Sequence, residues 1–357
     1  MLPYIGNIFT YILCVISLLY IVYQENHGKV YGKRLYSFYL LTFILFGTFA
    51  YFAGDYVHYR DEIERLQSSL LNVTHLEPIY VILIWLTNGN YHLWRLCIYL
   101  TIFLLLNKYL KLANQNNYHT LFWFAFFLLQ ESVTGRVPIS ILSFFICLLY
   151  FIDKKRLLGA CFLVLAAITH KSILPILLLI PAHCIKLKSK YIPILLCFLP
   201  AIGLICNLFL FDYLINWGII RKESFEVYSQ TEYSFTTSIG GIIEFILYTI
   251  PYNILILIYA VKLFKTQYTD ERFDHLRNFC LWFMLLLLLL LFMFGFNNPM
   301  FYRYYLMIKY PLLLLLPYSF PNLYQFRLTK SNFYFFLYFF FMLVYKISLS
   351  AYYEYCG

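Results

Sequence analysis

The chain carries little charge. Asp, Glu, Lys and Arg make up 12% of its 357 residues, about half the roughly 25% usual in soluble domains. So few polar side chains cannot cover a water-facing surface, and a soluble globular fold is excluded. Several chemical signatures are missing too. The absence of a Walker loop and of GxGxxG removes the phosphate cradles of P-loop and dinucleotide-binding enzymes. With no HExxH and only dispersed histidines, no metal centre is expected. No GxSxG elbow is present to expose a nucleophilic serine. The nine cysteines form no CxxC and lie mostly in apolar stretches. They read as small packing residues, with no disulfide or zinc framework.

What the chain does have is apolar length. It is 62% hydrophobic and 22% aromatic, with a mean hydropathy of +0.71. Long apolar stretches recur from end to end, which predicts an all-α polytopic membrane protein. The first stretch is long and lacks a basic start or clear cleavage site, so it reads as a transmembrane helix, with no cleavable signal peptide. A window of about 20 residues per helix gives about twelve spans. They fall near 3–23, 36–54, 92–112, 119–133, 136–152, 157–169, 172–187, 191–212, 241–264, 276–296, 300–318 and 331–350, with 157–187 alternatively one long broken helix. Neither a linker nor a repeat interrupts the chain, so residues 1–357 are read as a single integral membrane domain.

Lysine and arginine orient the bundle. One set of loops carries Lys29, Lys33, Arg34, Lys108, Lys111, Lys154, Lys155, Arg156, Lys186, Lys188, Lys190, Lys262, Lys265, Arg272, Arg277, Arg327 and Lys330. The opposite set is poor in cations. The rich set alternates loop by loop and is therefore cytoplasmic, which puts both termini and the long loops near 55–91 and 213–240 outside. The net charge of +10 follows from this bias and does not indicate nucleic-acid binding. Within the first outer loop, Glu77-Pro78 precedes a short apolar run. Pro78 suits a first helical position, and the helix would lie in or dip into the interface.

The few outer cations gather at helix starts. Arg136 begins "GRVPISILSFF", Lys171 begins "HKSILPILLL", and Arg303 lies in the first turns of "NPMFYRYYLMIKYPLL". Arg95 lies near the outer end of its own span. A helix N-terminus is already electropositive and prefers an anion, so cations placed there conflict with it unless an anion sits among them. Phosphate or pyrophosphate fits, because guanidinium pairs with its oxygens bidentately. The plainer readings are snorkelling for the arginines, surface anchoring for Lys171 and a packing role for His170. On the same side, Asp55, Tyr59 and Glu62 share a face if that stretch is helical. A carboxylate at the membrane boundary is partly desolvated and suits a general base; the alternative is a solvated loop acid. Glu77 alternatively caps its helix. No DxD occurs on the outer side.

The order of these elements carries a resemblance. "GDYVHY" follows the second span, then come "EP", the span beginning at Arg136, "AAITHKS" and a late "FYRYY". This resembles the EpsG-like membrane proteins, a branch of the Wzy-type O-antigen and exopolysaccharide repeat-unit polymerases, over about residues 1–320. The resemblance implies a C-type glycosyltransferase-like polymerase bundle in a bacterial inner membrane, with its active site facing outward. Its substrates would be oligosaccharide units on undecaprenyl pyrophosphate, and a chain-length regulator would be a candidate partner. The family's paired arginines would be Arg136 and Arg303, its Asp-Tyr region Asp55 and Tyr59, its Glu-Pro Glu77, and its His-x-Ser element His170 and Ser172.

Both lines lead to one expected mechanism, without metal or cofactor. Arg136 and Arg303 bind and stabilise the leaving pyrophosphate, and Asp55 or His170 removes the acceptor proton. Tyr59, Tyr304 and Tyr305 hold sugars, with Arg95, Lys171 and Glu77 completing the substrate site. The competing functions are a flippase for the same lipid-linked units and an O-antigen ligase. Charge at the outer boundary, with only Lys309 and Lys346 conspicuous inside spans, favours an enzyme over a flippase.

Overall fold

The computed structural model describes residues 55–68, 76–112, 136–170, 173–177, 179–206 and 271–294, together with positions 16, 41, 44, 48, 209, 213, 216 and 217. Among the described residues every regular element is helical. The chain forms two compact units, one of Met1–Ile173 with Leu316–Gly357 and one of Leu174–Leu315.

In the first unit, α1 spans Asp55–Ser68. Tyr59, Glu62, Ile63 and Leu66 are buried along it, while Arg60, Asp61, Glu64 and Arg65 are exposed. That spacing is the stripe of an amphipathic helix. Glu62 therefore departs from a solvated acid: its carboxylate is buried and accepts from Arg65 at 3.0 Å. Helix α2 covers Pro78–Leu86, with Pro78 in the first turn as its fixed φ and missing N–H favour. It ends in "TNGN", where Asn88 and Gly89 take φ of 49° and 68°. The Gly89 N–H returns to the Ile84 carbonyl at 2.9 Å, closing the helix end. Asn90 then caps α3, Tyr91–Leu112, by accepting the Leu93 N–H at 3.0 Å.

Helices α4, Arg136–Ile152, and α5, Arg156–Thr169, form an antiparallel pair turned by Asp153–Lys155. Lys154 sits at φ 61°, and the Lys155 N–H bonds the Tyr150 carbonyl at 2.8 Å. Helix α4 is buried almost all round, from Ile139 to Tyr150, and so forms the centre of this unit. At Gly159 the hairpin packs closely: a Cβ there would lie 2.8 Å from the Phe151 ring, which would have to shift.

In the second unit, α6, Ile192–Ile205, packs along α7, Glu271–Phe294. Gly203 allows the approach: a Cβ there would meet the Leu289 carbonyl oxygen at 2.7 Å and Phe292 Cβ at 2.8 Å. Among the described residues, Glu271–Leu290 is long and apolar enough to cross a membrane, and Val137–Ile152 and Arg156–Thr169 are shorter apolar helices.

The expected spans at 92–112, 136–152 and 157–169 match α3, α4 and α5 to within a residue at their described ends. Expectation and structure part at 172–187. Among the described residues there no spanning helix runs, only the turn Leu174–Leu177 and a 3-10 turn, Ile180–Cys184. Pro175 and Pro181 each remove a backbone donor, and two prolines six residues apart leave no room for a regular ladder. The span near 276–296 begins earlier, at Glu271, because its polar first turn is helical too. The expected spans at 3–23, 36–54, 119–133, 241–264, 300–318 and 331–350 lie outside the described segments, and the count of twelve with them.

Candidate active site

The first unit gathers four of the residues singled out in the sequence. Helix α5 ends at Thr169, and His170 takes an extended conformation as its C-cap. Its imidazole is thereby turned away from the helix ladder and meets Glu77, at the start of α2. His170 Nδ1 lies 3.0 Å from Glu77 Oε1, and both residues are buried. Glu77 is extended, with φ −69° and ψ 151°, and its side chain makes no cap to α2. The capping role is thus replaced by a bond across 93 residues of sequence.

A carboxylate only accepts at neutral pH, so the Nδ1–H of His170 donates to Glu77. Nε2 then keeps the lone pair and can receive a proton. This is the orienting logic of a carboxylate behind a histidine base. One turn along α2 from Glu77, Tyr80 is fully buried and meets Trp94 edge-on at 6.0 Å between centroids. Tyr59 stacks on Trp94 as well, with 6.0 Å between centroids. Tyr91 completes this aromatic group at the start of α3.

Arg95 follows Trp94 and is wholly buried. Its guanidinium lies 5.6 Å from the Tyr91 centroid and 5.8 Å from that of Tyr99, one turn to either side on α3. Nη1 also donates to the Tyr91 hydroxyl at 3.5 Å. A buried guanidinium between aromatic rings is held by cation–π attraction, which strengthens with desolvation.

Asp55 and Arg136 are placed by their backbones. Asp55 is the first residue of α1, one turn before Tyr59, and Arg136 is the first of α4. One turn into α4, Ser140 Oγ donates to the Ala166 carbonyl at 2.9 Å, and that carbonyl also accepts the His170 N–H at 3.3 Å. The antiparallel pair therefore brings the start of α4, with Arg136, to the same end as His170. Lys171, Arg303, Tyr304 and Tyr305 lie outside the described residues.

A second cluster went unseen in the sequence. In the other unit, the ligand-type atoms of His183, Cys184 and His275 lie within 4.8 Å of one another. The only local signal was a His-Cys dipeptide, since its third member is 92 residues away. Partial burial in the 3-10 turn holds the His183 imidazole below its ordinary pKa. The Ile180 carbonyl pulls it back up, and neighbouring His275 lowers it again.

The described part is helical and strongly apolar, with a buried carboxylate–imidazole pair at one end of a helix hairpin. The family model for the EpsG family matches residues 33–356, and the chain belongs to that family. Its members are Wzy-like polymerases. No curated protein and no solved structure matches the chain.

Proposed function

We propose that this protein polymerises lipid-linked oligosaccharide repeat units at the outer face of a bacterial inner membrane, its two units acting as one membrane domain. The observation that carries the reading is the buried Glu77–His170 pair at the end of the hairpin where Arg136 begins, in a member of a polymerase family. The donor is the growing glycan on undecaprenyl pyrophosphate, and the acceptor is the terminal sugar of an incoming unit.

His170 Nε2 takes the proton of the acceptor hydroxyl, while Glu77 holds the ring and stabilises the imidazolium. The hydroxyl oxygen forms a bond to the donor's anomeric carbon. The bond from that carbon to the phosphate oxygen breaks, and undecaprenyl pyrophosphate leaves with the electron pair. Arg136 and Arg303 bear the charge that develops on the leaving group. Asp55 is the second candidate base, and Lys171 adds charge beside His170. Tyr59 is buried against Trp94 and braces the site, so contacts to sugars fall to Tyr304 and Tyr305. The closed surroundings of Arg95 suit a group that braces the aromatic cluster, so phosphate binding falls to the other two arginines.

The positive-inside reading supports the location, since it puts 55–91, Arg136 and His170 on one side. Deleting the gene in its native host tests the function. In a host that builds lipopolysaccharide, polymerase loss leaves single units that a ligase still attaches, giving core plus one repeat and no ladder. Bare core, with the other genes intact, rejects a polymerase in favour of a flippase or ligase.

A further inference from the structure

The cluster in the second unit has the organisation of a metal site. His183 and Cys184 sit on the 3-10 turn Ile180–Cys184, and His275 sits one turn into α7. Each imidazole has its Nδ1 committed to a backbone carbonyl: that of His183 to Ile180, and that of His275 to His183 at 3.0 Å. Both rings are therefore fixed in the tautomer that keeps the lone pair on Nε2. Orientation of a histidine by a backbone carbonyl on its other nitrogen is the usual outer shell of a metal-bound imidazole.

The remaining donors fit the same centre. Cys184 Sγ lies 3.2 Å from His183 Nε2. Tetrahedral zinc, with Zn–N near 2.0–2.1 Å and Zn–S near 2.3 Å, sets an N···S separation of about 3.5 Å. Glu271 precedes His275 by one turn and brings Oε1 within 3.8 Å of its Nε2. The frame is braced as well: Asn278 donates to the His183 carbonyl at 3.4 Å, and Trp282 Nε1 donates to the Ile185 carbonyl at 3.0 Å. The turn is thus held on the first turns of α7 with its donor atoms converging.

We propose that His183, Cys184 and His275 bind one divalent, borderline-soft transition cation of the zinc class, with Glu271 as fourth donor. Two imidazoles, a thiolate and a carboxylate select zinc over magnesium or calcium, which take oxygen ligands. On binding, the Cys184 thiol gives its proton to solvent, and the thiolate forms the metal–sulfur bond. The ion cross-links the 180–184 turn to the start of α7.

The test uses the full chain in detergent, stripped with a chelator and then titrated with Co(II) as an optical probe, followed by Zn(II) in competition. The expected result is one Co(II) per chain with thiolate-to-metal charge-transfer absorption, displaced by Zn(II). Cys184→Ser should lose that absorption, and His275→Gln should weaken binding by more than about 100-fold, the upper range for losing an outer-shell partner. A measurement without mutation accompanies these: Zn(II) should protect Cys184, which is exposed, from alkylation as read on its own peptide by mass spectrometry. Sub-stoichiometric Co(II), an unchanged spectrum in Cys184→Ser, or alkylation of Cys184 indifferent to Zn(II) overturns the proposal. None of these readouts depends on polymer formation, so the metal site and the polymerase reading stand or fall separately.

Discussion

Glu77→Gln perturbs the candidate site with the smallest change in shape. The amide is nearly isosteric with the carboxylate, so the buried volume beside His170 is conserved while the negative charge is removed. The 3.0 Å bond from His170 Nδ1 then meets a neutral acceptor, with no counter-charge, at the moment the imidazole gains its proton. Hydrogen bonds to charged groups contribute about 1.5–3 kcal/mol. If that contribution is made in the transition state, its loss slows turnover roughly 10- to 150-fold. Should the amide instead present its NH2 to Nδ1, the proton moves to Nε2 and the base is blocked. The loss then approaches about 10^4-fold, the figure known for the equivalent wrong-tautomer change in a serine protease triad. His170→Ala removes the base itself and costs about 10^2–10^4-fold. Because the pair acts as a unit, the double variant should be little slower than His170→Ala alone. The assay is single-turnover extension of a synthetic lipid-pyrophosphate-linked unit by purified protein, with donor concentration varied to separate kcat from KM. A Glu77→Gln enzyme with normal kcat and a raised KM would show that the carboxylate serves binding, and the base mechanism would be refuted.

The other expectations concern charge, topology and packing. Arg136→Ala and Arg303→Ala should each abolish polymer while inserted protein remains, and the lysine variants should recover little, because lysine lacks the bidentate fork; a wild-type ladder from Arg303→Lys on a glycan gel would reduce that arginine to a generic cation. Single-cysteine labelling in a background without native thiols should find 154–156 closed to an impermeant reagent from outside and 55–91 open, and labelling of 154–156 from outside would invert the orientation. Gly203→Leu should destabilise the second unit by about 1–3 kcal/mol, since even a Cβ there meets the Leu289 carbonyl oxygen at 2.7 Å; an unchanged thermal unfolding curve in detergent would mean that α6 and α7 do not pack this closely.

The sequence by itself determined what depends on short windows. Hydrophobic length marked the helices at 92–112, 136–152 and 157–169, because apolar composition is read over a local stretch. Pro78 announced the start of α2, since its ring presets φ and needs no donor. Asp55, Tyr59 and Glu62 were assigned to one helical face from spacing, and the burial of Tyr59 and Glu62 agrees with it. The order of short motifs pointed to the EpsG family. Pairing lay beyond such windows. Glu77 read equally well as a cap or a site acid until α5 delivered His170 to it from 93 residues away. His183 and His275 looked dispersed because a 92-residue path separates them, and their carbonyl-fixed rings exist only once the turn is seated on α7. The apolar run at 172–187 resembled a span in composition, yet Pro175 and Pro181 break it into turns. Hydropathy counts side chains, while the backbone's missing donors and the choice of partner are settled only when the chain packs.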